Sequence, residues 1–248
     1  MTYTIMARSE ETGEIGLAMT TVSIAAGGLC FFYTRRGDLI TSQAYARAAL
    51  GHAMAVEMER NNPPEQCLRH ALEGDAGAAY RQLAILPIHG RPVAWTGSDC
   101  RPYAGHLLEE DLVIAGNVLA GPGVLGAMRE GFRRSGRPLA ECLIAALEAG
   151  RAAGGQATPE GRGLSERSAV VRVLRPAETA GPPVLDLRVD LHHSAVHELR
   201  RLYEIHKTYA GYARMRDEEP ARCPSIVKFE DEALARGGLF AERPSCFR

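Results

Sequence analysis

The first 22 residues decide the fold, and they are MTYTIMARS (residues 1–9), EETGE (10–14) and IGLAMTTV (15–22). The two outer segments are rich in β-branched, aromatic and other apolar residues, which favour strands. The middle segment is polar and contains Gly13, which favours a turn. The stretch therefore predicts a β-hairpin whose first strand begins at Thr2.

The rest of the chain alternates between strands and pairs of helices. Further strands are predicted over residues 29–34, 39–42, 80–88, 92–96, 112–115, 168–174 and 184–189. Helices are predicted over residues 43–60, 64–73, 122–134, 138–153 and 193–212. Hairpins rather than crossover helices join neighbouring strands, so the sheets should be mostly antiparallel, with the helix pairs outside them. The predicted fold class is an α+β, four-layer αββα sandwich over residues 1–213, followed by a C-terminal surface extension over 214–248.

Composition and charge exclude several classes of protein. The apolar share is 46% and the charged share 24%, as in ordinary globular domains. The formal net charge is −1 and there is no basic stripe, so we expect no nucleic-acid partner. No apolar run reaches the length of a membrane span, so we expect no membrane association. Six cysteines without CxxC spacing are typical of reduced thiols, so we expect a cytoplasmic protein. We also expect a homo-oligomer.

The histidines around residue 193 are a candidate metal site. His192, His193 and His197 lie near Asp190, and the last two histidines share one face of the predicted helix. However, Ser194 stands where a zinc-protease motif requires a glutamate. We therefore predict exposed imidazoles here and no metal ion.

Side-chain nucleophiles other than the N-terminal threonine are also available. Ser168 and Ser42 carry hydroxyls, but neither lies in the Gly-x-Ser-x-Gly turn of a serine hydrolase. Cys30 and Cys100 would need His106 as a base, and Cys30 lies in a predicted apolar strand, where a thiol is inert. These remain the weaker alternatives.

Thr2 offers a more specific arrangement. A threonine after the initiator methionine is small enough for Met1 to be removed, which would leave a hydroxyl and a free α-amine on one residue. The α-amine has a reference pKa near about 7.7–8.0, so close to neutral pH it can act as the base for its own hydroxyl. Many proteins have threonine at this position without such a role.

From Thr2 to about residue 206 the chain resembles the domain of unknown function 1028 family, whose members have an Ntn-hydrolase-like αββα fold. No single motif is specific, but their order and spacing are. The similar stretches are residues 1–5, 11–16, 41–45, 80–83, 96–98, 104–106, 116–119, 124–128, 145–155, 187–190 and 198–202.

The sequence departs from the family pattern near polar positions. Ala115 stands where many members have glutamine, and Gln156 where aspartate is usual. The usual Arg-Gly-x-x-Ser-Ala run is lengthened over residues 162–169, which adds Arg167, and Arg47 stands where asparagine is common. These departures put the substrate, and the activity itself, in question.

The resemblance implies an amide hydrolase of the N-terminal-nucleophile type that acts on a small amide or peptide-like substrate without a cofactor. Thr2 and Asn117 are the predicted catalytic residues, Asn117 as an oxyanion donor. The predicted substrate-binding or orienting residues are Thr21, Ser23, Gln43, Arg81, His106 and Gly116. The alternative is a non-catalytic small-molecule-binding or scaffold protein with the same fold, which would follow if Met1 is retained.

Overall fold

The computed structural model describes residues 1–136, 138–175 and 183–235. By its contacts the chain divides into one unit, Met1–Leu199, and a second that begins at Arg200. The described strands are β1 (Thr2–Arg8), β2 (Ile15–Thr21), β3 (Phe31–Tyr33), β4 (Leu39–Ala44), β5 (Arg81–Leu86), β6 (Val93–Thr96), β7 (Gly105–Glu109), β8 (Leu112–Asn117), β9 (Gln156–Ala157), β10 (Gly163–Leu164), β11 (Ser168–Leu174) and β12 (Leu185–Val189). The α-helices are α1 (Ala26–Leu29), α2 (Ala48–Glu59), α3 (Pro64–Glu73), α4 (Gly123–Arg134), α5 (Leu139–Ala152), α6 (Ala195–Glu218) and α7 (Ile226–Ala235).

Two antiparallel sheets form the centre of the first unit. The larger has six strands in the order β12-β11-β2-β1-β8-β7, and the smaller has four in the order β3-β4-β5-β6. The predicted opening hairpin is confirmed, with Thr2 opposite Thr21 and Arg8 opposite Ile15. On its other side β1 pairs with β8, so Thr2 also lies opposite Asn117. The N-terminal strand is therefore in the interior of the larger sheet.

Helices cover the outer faces of both sheets. Helices α4 and α5 pack on the six-stranded sheet, and α2 and α3 pack on the four-stranded sheet, while the two sheets contact each other through β1, β2 and β8 against β4 and β5. This is the predicted four-layer αββα sandwich. One apolar core, which includes Met6, Leu17 and Leu86, lies between the sheets. A second, which includes Met54 and Ile85, lies beneath α2 and α3.

Burial on both faces explains the composition of β1. Successive side chains of a strand point to opposite faces, so Thr2, Thr4 and Met6 face the second sheet while Tyr3 and Ile5 face the helices. All five are almost fully buried. The strand therefore tolerates polar groups only where a partner is available.

Three sequence predictions differ from the structure. The helix predicted over 43–60 begins at Ala48, because Gln43 and Ala44 continue β4 opposite β5. The strand predicted over 29–34 is shortened by α1 and begins at Phe31. Strand β7 was not predicted, because this edge strand has the sequence GHLLE and is only partly buried, so it lacks a clear alternation of apolar and polar residues.

The C-terminal part of the described chain is helical. Helix α6 runs through residue 213, and α7 follows it, so the division into 1–213 and 214–248 stays a prediction. Within residues 1–136, 138–175 and 183–235, no helix has the length and apolar character needed to cross a membrane.

Candidate functional site

Four polar residues form a row across one end of the six-stranded sheet. Thr2 in β1 lies opposite Thr21 in β2 on one side and opposite Asn117 in β8 on the other. Ser168 in β11 lies opposite Thr21 and ends the row. Residues opposite one another in an antiparallel pair share a face, and all four are buried. The strand register therefore places the predicted nucleophile between two polar side chains.

The hydroxyl of Thr2 belongs to a short chain of hydrogen bonds. Its Oγ1 donates to Thr21 Oγ1 over 3.3 Å. Thr21 Oγ1 in turn donates to the carbonyl oxygen of Met1 and accepts from the backbone N–H of Ser23 at 3.2 Å. Thr21 therefore holds both the nucleophile candidate and the residue that precedes it.

Met1 lines an open cleft beside this row. The cleft has a volume of about 730 Å³ and is lined by Met1, Val22, Ser23, Ile24, Arg162, Gly163, Leu164, Ser165 and Arg167. Burial lowers the pKa of the Met1 α-amine, because desolvation disfavours the charged form. Since Met1 is joined directly to Thr2, loss of Met1 would open this cleft, here called the Met1 cleft, towards the α-amine of Thr2.

A buried amide network fixes the side chain of Asn117. Asn117 Nδ2 donates to Gln82 Oε1 at 2.9 Å, and Gln43 Nε2 donates to the same oxygen at 2.7 Å. Gln82 Nε2 donates to the carbonyl of Gly116 at 2.9 Å, and Thr4 Oγ1 donates to Gln43 Oε1 at 2.8 Å. The network joins the two sheets and aims one N–H of Asn117 at Gln82, while the second N–H is the other donor that this side-chain amide carries.

His106 lies at the far end of this network. Its Nδ1 is 2.9 Å from Thr96 Oγ1, and Gln82 Nε2 donates to the same hydroxyl at 2.9 Å. Burial lowers the pKa of His106, because desolvation disfavours the charged imidazolium. It lines a separate cleft of about 430 Å³ with Cys100 and Tyr103 rather than the Met1 cleft.

Arg81 does not join the row at Thr2. Its Nε donates to Asp75 Oδ2 at 2.6 Å, and the guanidinium also donates to the carbonyl of Tyr45. Arg81 and Arg47 lower the pKa of Asp75 to about 2, chiefly through the hydrogen bond from Arg81. Arg81 is not among the described residues that line the Met1 cleft. Its neighbour Gln82 points to the opposite face of β5 and contacts Asn117 instead.

Sequence reasoning therefore missed Gln82, and it also missed a buried carboxylate. Glu166 accepts a 2.9 Å hydrogen bond from Tyr3 Oη and lies 3.8 Å from the guanidinium of Arg151. Burial, and then the charge of Glu166, raise the pKa of Tyr3 well above its usual value. The sequence feature that could have indicated Gln82 is a polar residue inside a buried strand, because Gln43 and Gln82 interrupt otherwise apolar runs.

Of the positions that depart from the family pattern, three lie beside this site: Ala115, Gln156 and Arg167, which lines the Met1 cleft. Ala115 lies opposite Thr4 and His106. Gln156 Nε2 donates to the carbonyl of Asn117 at 3.3 Å, while its buried Oε1 finds no partner in the part of the chain that is described. Within that part, no group of three or more His, Cys, Asp or Glu side chains is placed to bind a metal ion.

The protein is an αββα sandwich with a buried threonine, Thr2, at the start of its first strand. The chain belongs to the family of unknown function DUF1028, whose model matches residues 2–199. This confirms the resemblance found in the sequence.

A solved structure of the same family supports this assignment. The crystal structure of protein SPO2555 from Silicibacter pomeroyi, a DUF1028 protein, is 32% identical, with a TM-score of 0.74 over 86% of this chain and 94% of that one. HslV from Trypanosoma brucei is 11% identical, with a TM-score of 0.46 over 69% of this chain and 98% of that one. Anbu from Yersinia bercovieri is 12% identical, with a TM-score of 0.39 over 86% of this chain and 97% of that one. No curated protein matches the chain.

Proposed function

We propose that the mature protein hydrolyses the amide bond of a small molecule, with Thr2 as its N-terminal nucleophile after removal of Met1. The observation that carries this proposal is the position of Thr2 between Thr21 and Asn117 at the end of the sheet, directly behind Met1 and the Met1 cleft. A nucleophile, a second hydroxyl, an amide donor and an opening to solvent are thus adjacent.

The chemistry follows from these groups. The α-amine of Thr2 accepts the proton of Oγ1 while Oγ1 attacks the substrate carbonyl carbon, and the same proton then passes to the leaving amine as the C–N bond breaks. The acyl group is left as an ester on Thr2, and water, deprotonated by the α-amine, hydrolyses it. A buried amine has a lowered pKa, as at Met1, and this increases the fraction of free base at pH 7.

The neighbours of Thr2 have supporting roles in this reaction. Thr21 accepts the hydrogen bond of Thr2 Oγ1 before attack and so orients the hydroxyl. In this mechanism the second N–H of Asn117 donates to the oxyanion, and Gln82 holds that amide in one orientation. Removal of one oxyanion donor costs about 3–4 kcal/mol of transition-state stabilisation in hydrolases with an oxyanion hole. No metal ion or organic cofactor is needed for these steps.

Substitution of Thr2 tests the proposal. A panel of small p-nitroanilides serves as substrate, and intact mass establishes that Met1 is absent. Thr2→Ala should reduce hydrolysis by several powers of ten, each worth about 1.4 kcal/mol of barrier. Thr2→Ser should keep part of the rate, because it retains the hydroxyl and the amine and loses only the methyl that restricts χ1.

Thr12→Ala is the matched control, since Thr12 is exposed in the turn between β1 and β2. It should hydrolyse at the wild-type rate. Hydrolysis by Thr2→Ala at the wild-type rate would overturn the proposal.

The second candidate function is a non-catalytic binding or scaffold protein. Its supporting observation is the hydrogen bond from Thr21 Oγ1 to the Met1 carbonyl, which holds Met1 over Thr2. An intact mass that includes Met1 in protein from a native-like host, together with no turnover of any anilide, would favour this candidate.

A further inference from the structure

The charged side chains that line the Met1 cleft are all positive. Arg162 and Arg167 line it, and the other lining residues that the structure describes are uncharged side chains, apart from the α-amine of Met1 itself. Neither guanidinium forms an ion pair with a described residue. Arg101 adds a third positive charge near the N-terminus, where it contributes to lowering the pKa of the α-amine.

The acidic residue nearest in sequence does not neutralise these charges. Glu166 lies next to Arg167 in the chain, but its carboxylate accepts from Tyr3 Oη and lies beside Arg151. It is buried, whereas Arg162 and Arg167 are exposed. The two arginines are therefore free to meet an anion from solvent.

The backbone holds both arginines in place. The N–H of Arg167 donates to the carbonyl of Thr21 at 2.8 Å, which ties this residue to the strand beside Thr2. Arg162 precedes β10, and its carbonyl accepts from the N–H of Thr158 at 2.8 Å, which closes the β9–β10 turn. The backbone positions of both residues are thus set by main-chain contacts that side-chain substitution leaves intact.

We infer that the Met1 cleft binds amides that carry a carboxylate, and that Arg162 and Arg167 hold this carboxylate while the amide lies towards Thr2. As a substrate class, this rests on the proposed function. Guanidinium groups bind carboxylates through paired, charge-assisted hydrogen bonds. A cleft of about 730 Å³ is of the size that small-molecule sites have.

The test measures binding separately from turnover. The probes are succinyl, glutaryl and adipyl p-nitroanilides and the terminal carboxamide of each, which has the same shape without the charge. Calorimetry with the Met1-free Thr2→Ala chain gives affinities with no hydrolysis. For at least one chain length, the carboxylate should bind about tenfold or more tightly than its carboxamide, as expected for hydrogen bonds to a charged group.

The variants locate the effect. The double variant Arg162→Gln with Arg167→Gln should abolish the preference for carboxylate and leave carboxamide affinity unchanged. Arg91→Gln is the matched control. Arg91 is also exposed, but it follows the C-terminal end of β5 and does not line the Met1 cleft. It should keep the preference. Raising salt from about 0.05 M to about 0.5 M should weaken carboxylate binding only while the two arginines are present.

Equal affinity for carboxylate and carboxamide at every length, no binding of any probe, or a preference that survives the double substitution would overturn the inference. If carboxylates bind as expected and the wild-type chain hydrolyses none of the probes, the proposed function fails and the anion site stands. If the wild-type chain hydrolyses the probes and the Thr2→Ala chain binds carboxylates and carboxamides with equal affinity, the proposed function stands and the inference fails.

Discussion

Replacing Gln82 with leucine should destabilise the fold out of proportion to the change in shape. The Gln82 side chain is buried and bridges the two sheets. Its Oε1 accepts from Gln43 and Asn117, and its Nε2 shares two N–H bonds among three acceptors: the carbonyls of Gly105 and Gly116 and the hydroxyl of Thr96. Leucine fills a similar volume but offers none of these partners.

The expected magnitude follows from the groups that are left behind. Gln82→Leu leaves two buried N–H donors, on Gln43 and Asn117, without an acceptor. Each such group costs about 1–3 kcal/mol, so the free energy of unfolding should fall by about 2–6 kcal/mol. With a urea m-value of about 2 kcal/mol per molar, the midpoint should move by about 1–3 M.

The assay is urea unfolding followed by circular dichroism. Gln66→Leu is the matched control. Gln66 is half-exposed on α3, and its side chain forms no hydrogen bond within the described part of the chain. It should change the free energy of unfolding by no more than about 0.5 kcal/mol. A loss below about 1 kcal/mol for Gln82→Leu would show that the amide network does not join the sheets as described.

Further predictions concern pH and backbone packing. Asp75 has a folded-state pKa of about 2, below its unfolded value of about 3.9, so it contributes stability above about pH 4 that is lost as the pH falls towards about 2. Asp75→Asn should therefore be less stable than the wild type at pH 7, and its free energy of unfolding should fall less between about pH 4 and 2. Equal falls for the two proteins in acid titration would refute the ion pair with Arg81. Gly126→Ala in α4 meets no atom within 4 Å and should raise the free energy of unfolding by about 0.5–1 kcal/mol. Gly97→Ala would place a Cβ 2.2 Å from the carbonyl oxygen of Ala79, and a loss of less than about 2 kcal/mol in thermal unfolding would contradict that contact.

The sequence predicts correctly those helices and strands whose spacing of apolar residues matches the face that is buried in the fold. The opening hairpin, α3, α4 and α5 were predicted closely, because their apolar periodicity is the periodicity of their buried faces. The end of β4 was assigned to a helix, because the composition after Gln43 favours helix and only pairing with Gln82 across the sheet makes that residue a strand. The strand conformation of Gln43 depends on a hydrogen-bond partner 39 residues away in the sequence.

The site was only partly predictable for a related reason. The hairpin pattern anticipates Thr21 opposite Thr2, whereas Asn117 reaches Thr2 only through the non-local pairing of β1 with β8. Arg81 was selected instead of Gln82, because sequence alone does not establish which face of β5 meets the other sheet. The arginines of the Met1 cleft come from residues 162–167, and their approach to the N-terminus depends on the pairing of β11 with β2, which no local pattern reveals.

The most direct test of the central claim compares two chains that differ only before Thr2. One begins at Thr2 after Met1 has been removed, and the other carries Glu inserted between Met1 and Thr2, which prevents trimming; intact mass verifies each. The inserted residue converts the α-amine of Thr2 into a neutral amide that cannot accept a proton. The first chain should hydrolyse a small amide, and the second, with an unchanged circular dichroism spectrum, should be slower by several powers of ten. Equal rates for the two chains would show that the α-amine of Thr2 is not the base.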